Sequence, residues 1–236
     1  GQINLGGGMD APRILMTKRP DATIMTTPAP PIEKPTPEEM AKVTAEQAAQ
    51  AQVDLEKKQL DALMQDLKEA INKSQALEPF KDQLLLDITP EGLRIQIVDA
   101  QNRPMFDLGG ARLKGYTNSI LKELTPYLNS VPNHISLTGH TDTTPYAGIT
   151  GYTNWDLSTD RANAARRSLE AAGLGTDRVS RVVGLSSSVL FDKANPRSPV
   201  NRRISIVVMT QKAEMDALRT DAPLVAGIQG PAGASP

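Results

Sequence analysis

"HISLTGHTDTTPYAGITGYTNWDLSTDRANAARRSLEAAG", residues 134–173, decides how this chain folds. It opens on "HISLTG", an apolar run of strand length. It closes on "NWDLSTDRANAARRSLEAAG", which reads as a helix, with Thr153 as its N-cap, Asp156 three residues later and Gly173 at its C-terminal end. Between them lies "TTPYAGITGY", a stretch of turn-forming residues. A strand, a loop and a returning helix bring the strand's end and the helix's start together. One of the two histidines, the single tryptophan and several aspartates and arginines lie around that juncture.

Outward from this unit the pattern continues. Downstream, "RVSRVVGL" and "NRRISIVVM" read as strands and "KAEMDALRT" as a short helix. Upstream, "LLLDIT" and "LRIQIVD" are β-branched, apolar runs joined by "TPEG", a hairpin. Next, Leu113, Ile120, Leu121, Leu124 and Leu128 fall on one helical face, and Pro132 closes that segment. The order β-β-α-β-α-β-β gives two strand–helix–strand crossovers on a mixed sheet, an α+β sandwich. The folded domain is expected over residues 77–212, with a short helix and a disordered Gly/Pro/Ala tail over 213–236.

Residues 1–37 hold seven of the eighteen prolines and read as an extended linker, because such a segment buries too little apolar surface to offset its ordering entropy. At "TPEEM" the texture changes: Thr36 is the N-cap, Pro37 the first helical position and Glu39 completes a capping box. No proline or glycine follows until Pro79. Glu38–Lys42, Asp54–Lys58 and Glu69–Lys73 are acid-before-base pairs four apart. Leu60, Leu63, Met64, Leu67 and Ile71 form an apolar stripe, whereas "AKVTAEQAAQAQ" has hardly any. Residues 38–76 are therefore expected as a long helical extension whose second half docks on the domain.

Composition narrows the function. The 236 residues are 39% hydrophobic and only 3% aromatic, so part of the length is expected not to pack. A net charge of −1 gives no general reason to expect a nucleic-acid or anionic-membrane partner. The absence of cysteine excludes disulfides, thiolate metal sites and a cysteine nucleophile. No apolar run approaches the roughly 20 residues that span a bilayer. The first residues, "GQINLGGGMDAPR", form no signal peptide and begin without methionine, so a fragment lacking an upstream targeting or membrane segment is expected.

Three chemistries compete at the juncture. His140 and Asp142, two residues apart at a strand end, offer two metal ligands, but a zinc site needs three or four. His134 is too far along the strand to help, and no metal or cofactor is expected. Asp142, Asp156 and Asp160 offer carboxylates for acid–base work. Asp156 and Asp160, however, sit at a helix start, where acids serve the macrodipole, and Ser136 and Ser158 lie in no nucleophile elbow. Recognition is the third. Asp142 ends a strand and Arg161 lies about two turns into the helix, so an acid and a base flank one pocket, suited to a zwitterion or simply to each other.

"TGHTD" followed by Asn154, Leu157, Ser158, Arg161 and Ala162, and then "NRRISI", resembles the signature of OmpA-like peptidoglycan-binding domains, over roughly residues 80–210. The resemblance implies non-catalytic binding of the peptidoglycan stem peptide, with Asp142 and Arg161 holding diaminopimelate. Asn154 and Thr143 would support them; Arg202 either contacts ligand or caps the sheet, while Arg203 is read as structural. "GLRIQIVDAQNRPMF" and "GYTNWDLSTDRANAARR" are most similar to the periplasmic region of MotB-type flagellar stator proteins. That similarity implies a homodimer, a MotA-type membrane partner and anchorage in the bacterial inner membrane through a segment absent here. The loop between Asp142 and Asn154 is longer than in common outer-membrane members, and Ser205 stands where the family often has glutamate. The alternative is an outer-membrane or lipoprotein-type wall anchor with no motor role.

Overall fold

The computed structural model describes residues 37–100, 102–148 and 151–219. The linker expected over 1–37, save its last residue, the N-cap expected at Thr36 and the tail beyond 219 lie outside the described residues. The chain divides into two compact units, residues 1–44 and 45–236. Of the first, residues 37–44 form the opening turns of a helix.

That helix, α1 (Pro37–Lys73), begins on its proline, whose fixed φ suits the first helical position and whose missing N–H costs nothing there. Along residues 45–73 the predicted stripe is observed: Leu60, Leu63, Leu67 and Ile71 are buried in the main core. Each such side chain contributes roughly 1.5–3 kcal/mol of transfer free energy. The alanine-rich turns before them are exposed. Glu56 adds a polar tie, accepting from the Asn133 amide nitrogen at 2.9 Å and the Gln211 backbone N–H at 2.8 Å.

Strands β1 (Leu84–Thr89) and β2 (Gly92–Val98) form the expected hairpin. Then come α2 (Gly115–Asn129), β3 (Ile135–His140), α3 (Asn154–Ala171), β4 (Val179–Gly184), β5 (Arg203–Met209) and α4 (Gln211–Leu218). The sheet order is β1-β2-β5-β3-β4, antiparallel except between β3 and β4. This is the mixed-sheet α+β sandwich the sequence predicts. The last strand occupies the centre, because the α2 crossover leaves a gap between β2 and β3 that β5 fills.

Register assigns the two faces. Ile95, Ile206 and Leu137 align across β2, β5 and β3, and with Leu93, Ile97, Ile204, Val208 and Ile135 they face the helices. Gln96, Ser205 and Thr138 align on the opposite, polar face. Period-two alternation thus gives one apolar and one polar side. Helix α3 lies very close to β3 and β4: a Cβ at Gly139 would overlap the Ser158 carbonyl, and one at Gly184 the Thr159 side chain.

Leu113 does not join the α2 face. Lys114 is extended (φ −67°, ψ 151°), the helix starts at Gly115, and Leu113 pairs instead with Phe106 in an isolated bridge. Its spacing suited a helix, but that bridge claims its backbone first.

Candidate functional site

The site lies where three chain segments end. Strand β3 stops at His140, and Thr141 and Thr143 carry the chain onward by donating their N–H groups to the Ser186 and Pro196 carbonyls. Asp142, between them, is 6% exposed. Helix α3 enters from the far side of the loop, capped by Thr153 and Asp156 in a reciprocal box. Its Arg161, also 6% exposed, is carried two turns in. The third segment is "NRR": Arg202 follows a single 3₁₀ turn, Pro199–Asn201, and precedes β5.

Asn201 organises that last approach. It is fully buried, and its Oδ1 accepts from the Phe191 and Asp192 N–H groups, both at 2.8 Å. Its Nδ2 donates to the Asp192, Asn195 and Pro196 carbonyls. One amide side chain thus fixes the loop that both supports Thr143 and presents Arg202.

The four charges do not pair as simply as the sequence allowed. Asp142 and Arg161 form no salt bridge. Arg202 instead bridges two carboxylates, with Nε 2.7 Å from Asp99 Oδ2 and Nη1 2.7 Å from Asp142 Oδ2. Asp142 Oδ1 accepts from the Thr144 N–H at 2.8 Å. Arg161 donates from Nε to the Gly110 carbonyl at 3.0 Å and lies over the Phe106 ring at 4.8 Å. Among the described residues its two Nη groups have no hydrogen-bond acceptor. A buried guanidinium is therefore anchored by its stem and presents its fork.

Burial lowers the Arg161 pKa, opposed mainly by the Asp99 charge. Burial also works against Arg202, but its hydrogen bonds to Asp142 and Asp99 outweigh that and raise its pKa. Burial raises the Asp99 pKa, countered by the Met105 N–H, at 2.6 Å, and by Arg202. Two carboxylates and two guanidiniums balance to zero, which suits a ligand carrying both signs.

Asp99, Phe106, Asp142, Arg161 and Arg202 line one cavity of about 660 Å³, together with Leu108, Tyr146 and Asn154. Asn154, half-buried at the start of α3, donates to the Thr144 carbonyl at 2.8 Å and so ties the long loop to the helix. Thr143 contributes its backbone N–H to Pro196 and does not line the cavity. Arg202 lines the cavity and bridges its two carboxylates. Asp99 was missed: it lies 43 positions before Asp142, and the available signal was an acid ending an apolar strand run, "LRIQIVD".

The competing chemistries find little support in the geometry. Among the described residues no group of three metal-ligating side chains occurs. His140 faces Arg203 on the polar side of the sheet, and burial, then Arg203, depress its pKa to about 3. His134 pairs with Glu214 at 2.6 Å, at the opposite end of β3. Ser158 is fully buried, donating to the Trp155 carbonyl and accepting from the Ser186 N–H. Ser136 accepts from Arg181, Asp156 belongs to the cap and Asp160 accepts from Tyr152.

Residues 105–203 match the OmpA family. Over 169 residues, 71% of this chain and 55% of the relative, the chain is 46% identical to Motility protein B of Escherichia coli strain K12. It is 45% identical over 130 residues, 55% of this chain and 42% of the relative, to the flagellar export/assembly protein LafU of E. coli O44:H18. The chain thus spans about half the length of the curated relatives it matches. A MotB-like protein from Desulfovibrio vulgaris shares the fold with a TM-score of 0.53 at 16% identity, covering 66% of this chain and 99% of that one. The periplasmic domain of Helicobacter pylori MotB does so with a TM-score of 0.51 at 15% identity, covering 61% and 90%. The resemblance to OmpA-like and MotB-type proteins read from the sequence is therefore found by sequence and by fold.

Proposed function

We propose that this chain is the periplasmic, wall-anchoring part of a flagellar motor stator of the MotB type, and that it binds peptidoglycan without changing it. The observation that carries the reading is the Arg161 guanidinium, buried, held by Gly110 and Phe106, with both Nη groups open to a cavity that also holds two carboxylates. A bidentate carboxylate is the ligand such a fork fits. Asp142 and Asp99 then face the ammonium of the same unit. Diaminopimelate in the stem peptide carries both groups at the end of one side chain. Asn154 holds the loop around it, and Arg202 bridges the two acids. Kinship with Motility protein B, 46% identical, supports the motor context. That context brings a homodimer and a MotA-type partner in the inner membrane.

Arg161→Ala is expected to reduce co-sedimentation with purified sacculi at least about 100-fold, since two charge-assisted hydrogen bonds at roughly 1.5–3 kcal/mol each are lost. Circular dichroism should show the fold retained, and Arg161→Lys should restore only part of the binding, because an ammonium lacks the fork. Undiminished binding by folded Arg161→Ala would overturn the site. Release of soluble muropeptides from sacculi would overturn the non-catalytic reading.

A further inference from the structure

The polar face of the sheet takes no part in the cavity described above. Register arranges it as a grid. Val98, Arg203 and His140 form one row across β2, β5 and β3, and Gln96, Ser205 and Thr138 form the next. Arg94, Val207 and Ser136 form the third, with Arg181 of β4 beyond Ser136. Neighbouring positions on one face of a sheet lie roughly 5–7 Å apart, so Ser205 is within a side chain's reach of all that surround it.

The charges on this grid are answered unequally. Asp87 holds Arg94 through two hydrogen bonds, and Glu91 lies 3.9 Å from Arg181. Arg203, 5% exposed, has only the neutral acceptors Gln96 Oε1, Asn201 O and Val189 O. Among the described residues no carboxylate comes within ion-pair distance of it. A buried charge is ordinarily paired, because an uncompensated one is costly. Burial and then Arg94 accordingly lower the Arg203 pKa to about 10, and the same cations help to hold His140 neutral.

Free donors gather around this one cation. Each Arg203 Nη keeps a second proton beyond the one it donates. The Gln96 amide nitrogen and the Ser205 and Thr138 hydroxyls make no hydrogen bond among the described residues. His140 Nδ1, buried beside them, has no partner either. The grid opens to solvent at Thr138, which is half-buried, and toward the part-exposed side chains of Arg94 and Arg181. Donors from three strands thus surround one position. A tetrahedral oxyanion presents oxygens to several sides at once, whereas the two oxygens of a carboxylate lie in one plane.

We propose that Arg203, Gln96, Ser205 and Thr138 bind a small tetrahedral oxyanion, phosphate or sulfate, on the polar face of the sheet. The ion neutralises the buried guanidinium and ties β2, β5 and β3 together, so its binding stabilises the fold. This site is independent of the wall-binding reading, since Arg203 does not line the cavity.

Thermal unfolding of the 236-residue chain tests it, with phosphate replacing chloride at fixed ionic strength. About 20 mM phosphate should raise the midpoint by about 3 °C or more. Phosphate also stabilises proteins generally by exclusion from their surface, and folded Arg203→Ala, which should keep no more than about 1 °C of the rise, measures that background. Ser205→Glu places a carboxylate next to Arg203. It should raise the midpoint in chloride and remove most of the phosphate response. Acetate at the same concentration should give less than half the phosphate shift, and phosphate should move the His140 ring resonances in NMR spectra. An equal phosphate response in all three proteins, or Ser205→Glu melting below wild type, overturns the site. Unmoved His140 resonances overturn its location, and acetate acting as strongly as phosphate overturns the tetrahedral ligand.

Discussion

Arg202 and Arg203 are adjacent in the chain and serve opposite sides of the sheet. Arg202 turns to the cavity, where Asp99 and Asp142 each accept from it at 2.7 Å. Arg203 turns to the polar sheet face, where its acceptors are neutral: Gln96 Oε1 at 3.0 Å and the carbonyls of Asn201 and Val189. Burial opposes the charge on both. On Arg202 two carboxylates outweigh it, and the pKa rises. On Arg203 no anion answers it and Arg94 adds repulsion, so the pKa falls to about 10. The alternation that gives a strand two faces thus separates a guanidinium that lines the cavity from one that braces the sheet.

The strongest way to break this contrast is Arg202→Ala. It leaves Asp99, 3% exposed, without the one side-chain donor it has among the described residues, and removing one partner of a buried ion pair costs roughly 3–5 kcal/mol. Sacculus binding should fall at least about tenfold at the same time. The stability loss carries a pH signature. Asp99 already has a raised folded pKa, and the substitution raises it further. The folded state then holds a proton that the unfolded chain has released, so stability falls as pH rises through that window. The deficit is complete above the folded pKa and vanishes below the ordinary 3.8. Urea midpoints at pH 7 and pH 4 should therefore converge toward wild type at the lower pH. A pH-independent deficit would show that Asp99 is not the group left stranded.

Arg203→Ala sharpens the contrast from the other side. Three neutral acceptors lose a donor inside the fold, so a stability loss of roughly 2–3 kcal/mol is expected. Folded Arg203→Ala should still co-sediment with sacculi as wild type does. A binding loss matching that of Arg202→Ala, at equal folded fraction, would erase the distinction between the two faces.

Part of this arrangement was legible before the structure. The α1 stripe, the β1–β2 hairpin and the Thr153–Asp156 cap are local patterns, fixed by side-chain spacing within one or two turns. Asp142 and Arg161 could be placed together because a strand–loop–helix unit returns on itself. The central position of β5 could not be read, since chain order does not give strand order, and with it went the partnership of Arg202 and Asp99. Those two residues meet across 103 positions. Leu113 was misread for a related reason: its spacing fits a helix, and only its bridge to Phe106 shows that the backbone is committed elsewhere.

The smallest expected effect belongs to His140, which sits beside Arg203 in the β3–β5 register. It is 4% exposed and its Nδ1 has no partner. Burial, then Arg203 and Arg94, depress its pKa from 6.5 to about 3, so it stays neutral in the folded protein. As pH drops below 6.5 the unfolded chain takes up a proton that the folded chain refuses. Stability contributed by this group is therefore complete above 6.5 and is lost progressively as pH falls toward about 3. At about pH 5 the loss should approach roughly 2 kcal/mol, as one unit of pH within the window corresponds to about 1.4 kcal/mol. His140→Gln cannot titrate, so the difference between its urea-derived stabilities at pH 7 and pH 5 should be smaller by that amount. Equal acid sensitivity in both proteins would mean that burial and the neighbouring Arg203 do not hold His140 neutral, and the contrast between the two faces would then rest on Arg202 and Arg203 alone.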